Sequence, residues 1–74
     1  MIIKNRLQEI IDERGIDISK LARLADVNRA TLNNIITTRH NTSLDKAYRI
    51  AKALNLTVYD IWYDADEKID KNED

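Results

Sequence analysis

Asn28, Arg29, Ala30, Asn33 and Asn34 are the residues whose types and spacing point to a recognition chemistry. They fall within Val27–Ile36, where Val27, Leu32, Ile35 and Ile36 recur at the i, i+3 and i+4 spacing of one helix face. The polar set then projects from the opposite face. Asn28 suits an N-cap, because its side-chain oxygen can accept from the free N–H groups of the first turn. An outward face of carboxamides and one guanidinium matches base-pair edges. Arg pairs with O6 and N7 of guanine, Asn with N6 and N7 of adenine, and a methyl such as that of Ala30 with the thymine methyl. The same residues would also serve as a plain solvated helix face.

No catalytic constellation stands beside this face. The chain of 74 residues has no Cys, one His (His40) and one Gly (Gly15). That composition excludes disulfides, thiolate or histidine-cluster metal sites, Cys/His nucleophilic sets and Gly-rich phosphate loops. We therefore expect neither an enzyme nor a cofactor or metal. No apolar run approaches the roughly 20 residues of a membrane span, and the start lacks the apolar core of an export signal. A cytoplasmic protein is expected, nucleoid-associated when bound to DNA.

The net charge of −1 averages two unlike parts. Residues 64–74 hold six acids and two lysines, a net of −4, whereas residues 1–63 carry ten Lys/Arg against seven Asp/Glu, a net of +3. A mildly basic body permits phosphate contacts without demanding them. We expect one domain over 1–63 and an acidic, flexible tail over 64–74, which holds too little apolar surface to offset its ordering entropy.

The elements that must hold the polar face are read from periodicity and caps. Ile3, Leu7, Ile10 and Ile11 form one stripe, and Gly15 ends it, predicting helix 1 over residues 2–14. Asp17 caps a second helix over 18–25, whose Ala22 and Ala25 permit close approach of a neighbour. A three-residue break leads to helix 3 over 29–37, and two short helices so joined are a helix-turn-helix pattern. Thr42 or Ser43 caps helix 4 over 43–54, with Asn55 as its left-handed terminator. Thr57 and Asp60 open helix 5 over 58–63, with Trp62 filling the core.

Residues 4–63 together resemble the Cro/lambda-repressor (Xre) helix-turn-helix family. The resemblance is carried by Gly15-Ile16, Leu21-Ala22, Val27, Thr31-Leu32, Ile35, Ser43-Leu44, Ile50-Ala51-Lys52-Ala53-Leu54 and Val58-Tyr59-Asp60-Ile61-Trp62. It implies an all-α, five-helix, lambda-repressor-like domain with its helix-turn-helix in helices 2 and 3. The implied function is a sequence-specific, repressor-type regulator that binds double-stranded DNA as a homodimer on a palindromic operator. Asn28, Arg29, Ala30, Asn33 and Asn34 fall where family members touch bases. Ser19, Lys20, Thr31, Thr37, Arg39, His40 and Thr42 fall where they touch phosphates, contacts that set register rather than sequence. Tyr59 and Tyr63, near the end through which small members pair, are the dimer candidates. One departure stands out: where the family often has Gln at the start of helix 2, this chain has Ile18, expected to pack against helix 3. The alternative reading is an antitoxin or anti-repressor module on the same fold, taking a protein partner through its acidic tail.

Overall fold

A computed structural model describes residues 1–39 and 41–66. The elements are β1 (Ile3–Asn5), α1 (Leu7–Arg14), α2 (Ile18–Ala25), α3 (Arg29–Thr38), α4 (Leu44–Ala53), α5 (Val58–Ile61) and β2 (Trp62–Asp64). His40 and residues 67–74, which include most of the expected tail, lie outside the described residues.

Local chemistry accounts for most boundaries. Gly15 takes φ +64°, and its N–H and that of Ile16 both donate to the Ile11 carbonyl, closing α1. The Asp17 carboxylate accepts from the Ser19 N–H at 2.9 Å and starts α2. Ser43, rather than Thr42, caps α4 by accepting from the Lys46 N–H. Thr57 and Asp60 cap α5 reciprocally, each side chain bonding the other's backbone N–H.

The expectation of an all-α fold is corrected by a small antiparallel sheet, β1 against β2, with Ile3 opposite Asp64, Lys4 opposite Tyr63 and Asn5 opposite Trp62. Ile3 and Leu7 are four apart, which suggested one continuous helix from residue 2. The Asn5 side-chain oxygen instead accepts from the Leu7 N–H at 3.0 Å, so the helix starts there and Ile3 reaches the core from a strand. At the other end, Trp62 turns extended after a single helical turn. Asp64, grouped with the tail by charge, belongs to β2. Its carboxylate accepts from the N–H groups of Ile2 and Asp66, and the Ala65 N–H donates to the Ile2 carbonyl at 2.7 Å.

The core gathers Leu7, Ile10 and Ile11 of α1, Leu21 of α2, Leu32, Ile35 and Ile36 of α3, Ile50 and Leu54 from α4 and its end, and Ile61 and Trp62. Trp62 is buried, as its apolar setting predicted. Small residues, Ala22 and Ala25 on α2 and Ala47 and Ala51 on α4, lie where these two helices pack together. Ile18 is half-buried against the core, so its side chain contributes packing rather than a polar contact.

Among the described residues, one polar side chain is fully buried. Asn5 is 0 % exposed, and its amide nitrogen donates to the Ile35 carbonyl in the last turns of α3 while its oxygen holds the first N–H of α1. Removing it strands the buried Leu7 N–H and takes one of two donors from the Ile35 carbonyl, which keeps the Arg39 N–H. Asn5→Ala should therefore cost about 1–3 kcal/mol, read as a lowered urea midpoint and a Tm drop of at least several degrees in a domain this small.

Two carboxyls titrate below their ordinary values. The Thr57 backbone N–H and hydroxyl hold down Asp60, and the Arg39 guanidinium holds down Glu9. A carboxyl with a depressed folded pKa stabilises the fold above its unfolded value and loses that effect as pH falls through the folded one. Asp60→Asn should be less stable than wild type at neutral pH. The gap between their urea midpoints should narrow as pH falls below the unperturbed Asp value of 3.8.

Candidate nucleic-acid interface

α3 is fastened at both ends before its outward face is considered. At its start, the Asn28 side-chain oxygen accepts from the N–H groups of Ala30 at 2.8 Å and Thr31 at 3.3 Å. The preceding turn places Asp26 in the left-handed region, φ +57°, where Arg49 of α4 donates to the Asp26 carbonyl at 2.7 Å. Arg49 also pairs with Asp45 one turn earlier on its own helix. At its end, α3 stops at Arg39, again left-handed at φ +58°, whose N–H donates to the Ile35 carbonyl. The Arg39 carbonyl accepts from the Asn5 N–H at 3.0 Å. The Arg39 guanidinium reaches the Asn5 carbonyl at 3.3 Å and the Glu9 carboxylate at 3.1 Å.

Between these fastenings, Asn28, Arg29, Ala30, Asn33 and Asn34 all face solvent. Arg29, Ala30 and Asn33 line one shallow notch of about 300 Å³. Arg29 has no ion-pair partner, and the Asn33 and Asn34 carboxamides have no hydrogen-bond partner, among the described residues. Their donors and acceptors are therefore available together, as bidentate pairing with a base edge requires. Asn28 differs: its oxygen is occupied by the cap, which leaves only the NH₂ group to offer. The start of α3 carries no acidic residue in its first turn, so the positive end of the helix dipole is uncompensated beside Arg29.

The residues expected at phosphates are less uniform. Lys20 is exposed and borders a cleft of about 470 Å³ with Arg14, Asp17 and Leu24, while Ser19 is half-buried with its N–H given to the Asp17 cap. Thr31 and Thr42 are half-buried. Thr37 is exposed, but its hydroxyl donates to the carbonyls of Asn33 and Asn34, leaving only lone pairs outward. Arg39 has its guanidinium engaged within the fold.

The two tyrosines singled out from the sequence occupy different places. Tyr59 is 90 % exposed at the rim of a groove of about 620 Å³ between α4 and α5, which it shares with Tyr48. Tyr63 is half-buried in β2 with the Arg6 guanidinium 4.5 Å from its ring centre, a cation–π contact. Sequence reasoning missed Asn5 and Arg49. Asn5 reads as one more polar residue between Lys4 and Arg6. Arg49 left one signal, its i, i+4 spacing from Asp45.

Comparison with known proteins agrees with this architecture. Residues 6–67 match the family described as the Cro/C1-type HTH DNA-binding domain. A protein of Haemophilus influenzae, described as an uncharacterized HTH-type transcriptional regulator, is 30 % identical over 63 residues, covering 85 % of this chain. The chain spans 58 % of that relative's length. No helix among the described residues is long and apolar enough to cross a membrane. With most of its length matched to the family's domain, this chain belongs to the Cro/C1-type helix-turn-helix DNA-binding family.

Proposed function

We propose that this chain is a sequence-specific, repressor-type transcriptional regulator of double-stranded DNA, acting in the cytoplasm on the nucleoid. α2 and α3 form its helix-turn-helix, and α3 lies in the major groove. The observation that carries this reading is the row of Arg29, Asn33 and Asn34 side chains, without partners among the described residues, on a helix braced at both ends. Arg29 reads guanine, Asn33 and Asn34 read adenine, and the Ala30 methyl meets a thymine methyl. Asn28, with its oxygen in the cap, acts as a donor only. Ser19, Lys20, Thr31 and Thr42 hold phosphates and set the register.

A second copy completes the reader. Tyr48 is 58 % exposed and Leu44 74 % exposed, and together with Tyr59 they leave α4 and α5 with an uncovered apolar strip. A two-fold pairing through it would set two α3 helices about 34 Å apart, one turn of the duplex.

Selection from a random duplex pool tests the whole reading: a palindromic consensus is expected, and an unenriched pool would instead favour a protein-interaction module. On the selected operator, log K should fall linearly with log salt, with a slope of about −0.9 per phosphate contacted. Arg29→Ala should cost about 1–3 kcal/mol on the operator and relax preference at one base pair, with random-sequence binding reduced far less. Tyr59→Asp should leave the fold of the single subunit intact, read as an unchanged far-UV circular dichroism spectrum, because within one copy the ring is exposed. The same substitution should shift sedimentation to the monomer and lower operator affinity.

A further inference from the structure

Arg39 presents a contradiction for its place in the chain. It stands in the loop after α3, where a free arginine would meet a phosphate, yet its guanidinium lies against Glu9 of α1 and the carbonyl of Asn5. Its backbone is left-handed, φ +58°, a conformation with a steric cost for an arginine that persists only where the surroundings over-determine it. Here they do. The Arg39 N–H is bonded to the Ile35 carbonyl, its own carbonyl holds the Asn5 N–H, and the buried Asn5 amide donates to the same Ile35 carbonyl. Asn5 in turn pairs with Trp62 across the sheet and starts α1. Sheet, α1 and the end of α3 thus meet at one side chain and one guanidinium.

The geometry points to Arg39 as a positioning residue rather than a phosphate contact: with Glu9 and Asn5 it forms a clamp that sets the angle at which α3 presents Arg29, Asn33 and Asn34 to the groove. This rests on the proposed reading of α3 as the DNA-reading helix. The two roles for Arg39 make opposite demands on Glu9. If Arg39 served a phosphate, Glu9 would compete for it, and neutralising Glu9 would tighten binding to every DNA. If Arg39 is a clamp, neutralising Glu9 loosens α3, and discrimination falls.

The test compares wild type, Arg39→Asn, Glu9→Gln and the double variant on the selected operator and on random duplex across a salt series. Asn tolerates the left-handed backbone, so Arg39→Asn removes the guanidinium while leaving a foldable turn. Melting curves fix a temperature at which all four are folded. The expected result is a fall of about two- to fivefold in the operator-to-random ratio for each single variant, the scale of one exposed ion pair. The double variant should lose no more than either single one, and the salt slope should be unchanged. A slope shallower by about 0.9 in Arg39→Asn, with Glu9→Gln tightening both DNAs alike, would overturn the clamp and restore the phosphate contact. Unchanged ratios in both variants would overturn it as well. Should wild type bind no DNA, the proposed function fails on its own, and hydrogen exchange then decides the clamp. Loss of protection at the Asn5 and Arg39 amides in both variants supports it, and full protection refutes it.

Discussion

The buried carboxamide of Asn5 is the constraint on which the arrangement turns. A polar group at zero exposure is tolerable only when its hydrogen-bonding capacity is met, since leaving it unmet costs most of the gain from burying its neighbours. Asn5 meets that requirement by binding the first N–H of α1 and a carbonyl near the end of α3. Its backbone lies opposite Trp62 of β2, and its N–H and carbonyl both bond Arg39. One residue therefore fixes the relative placement of a strand and two helices, and apolar packing fills in around that decision. A leucine of similar size would be more apolar but would specify nothing about which helix end lies where.

The helix ends show how the chain redirects itself with a single glycine. Gly15, Asp26, Arg39 and Asn55 all take positive φ. Gly15 does so without cost, and the short polar side chains of Asp26 and Asn55 tolerate it. Arg39 has no such dispensation and is held by its bonds to Asn5 and Glu9. The turn before α3 is likewise not left to local preference, because Arg49 reaches across from α4 to the Asp26 carbonyl. α3 is thus restrained from outside its own sequence at both ends, while the Arg29, Asn33 and Asn34 side chains on its outer face have no partner among the described residues. Rigid support beneath a free polar row is what base reading needs, since paired hydrogen bonds tolerate little misplacement.

Charge is distributed in keeping with this division. Several arginines face inward tasks: Arg14 donates to the Leu54 carbonyl, Arg39 and Arg49 brace α3, and Arg6 lies over Tyr63. Arg29 and Lys20 are left outward without ion-pair partners among the described residues. A count of basic residues therefore overstates what is available to a polyanion.

Much of this was written locally. The caps Asp17, Asn28 and Thr57 with Asp60, the terminator Gly15 and the 3.6-residue stripes fixed four helices to within a residue or two. They also turned Asn28, Arg29, Ala30, Asn33 and Asn34 outward, because each such signal acts within one turn of chain. The sheet was not legible, because strands of three residues are too short to show a period and their pairing joins positions 57 to 61 apart. Nor were the roles of Asn5, Arg39 and Arg49, whose partners lie 30, 34 and 23 positions away. Bonds of that span exist only once the core has closed and brought the ends of separate helices together. The sequence alone determined which residues of α3 face outward; only the tertiary structure decided which charges, among the described residues, stay without a partner inside the fold.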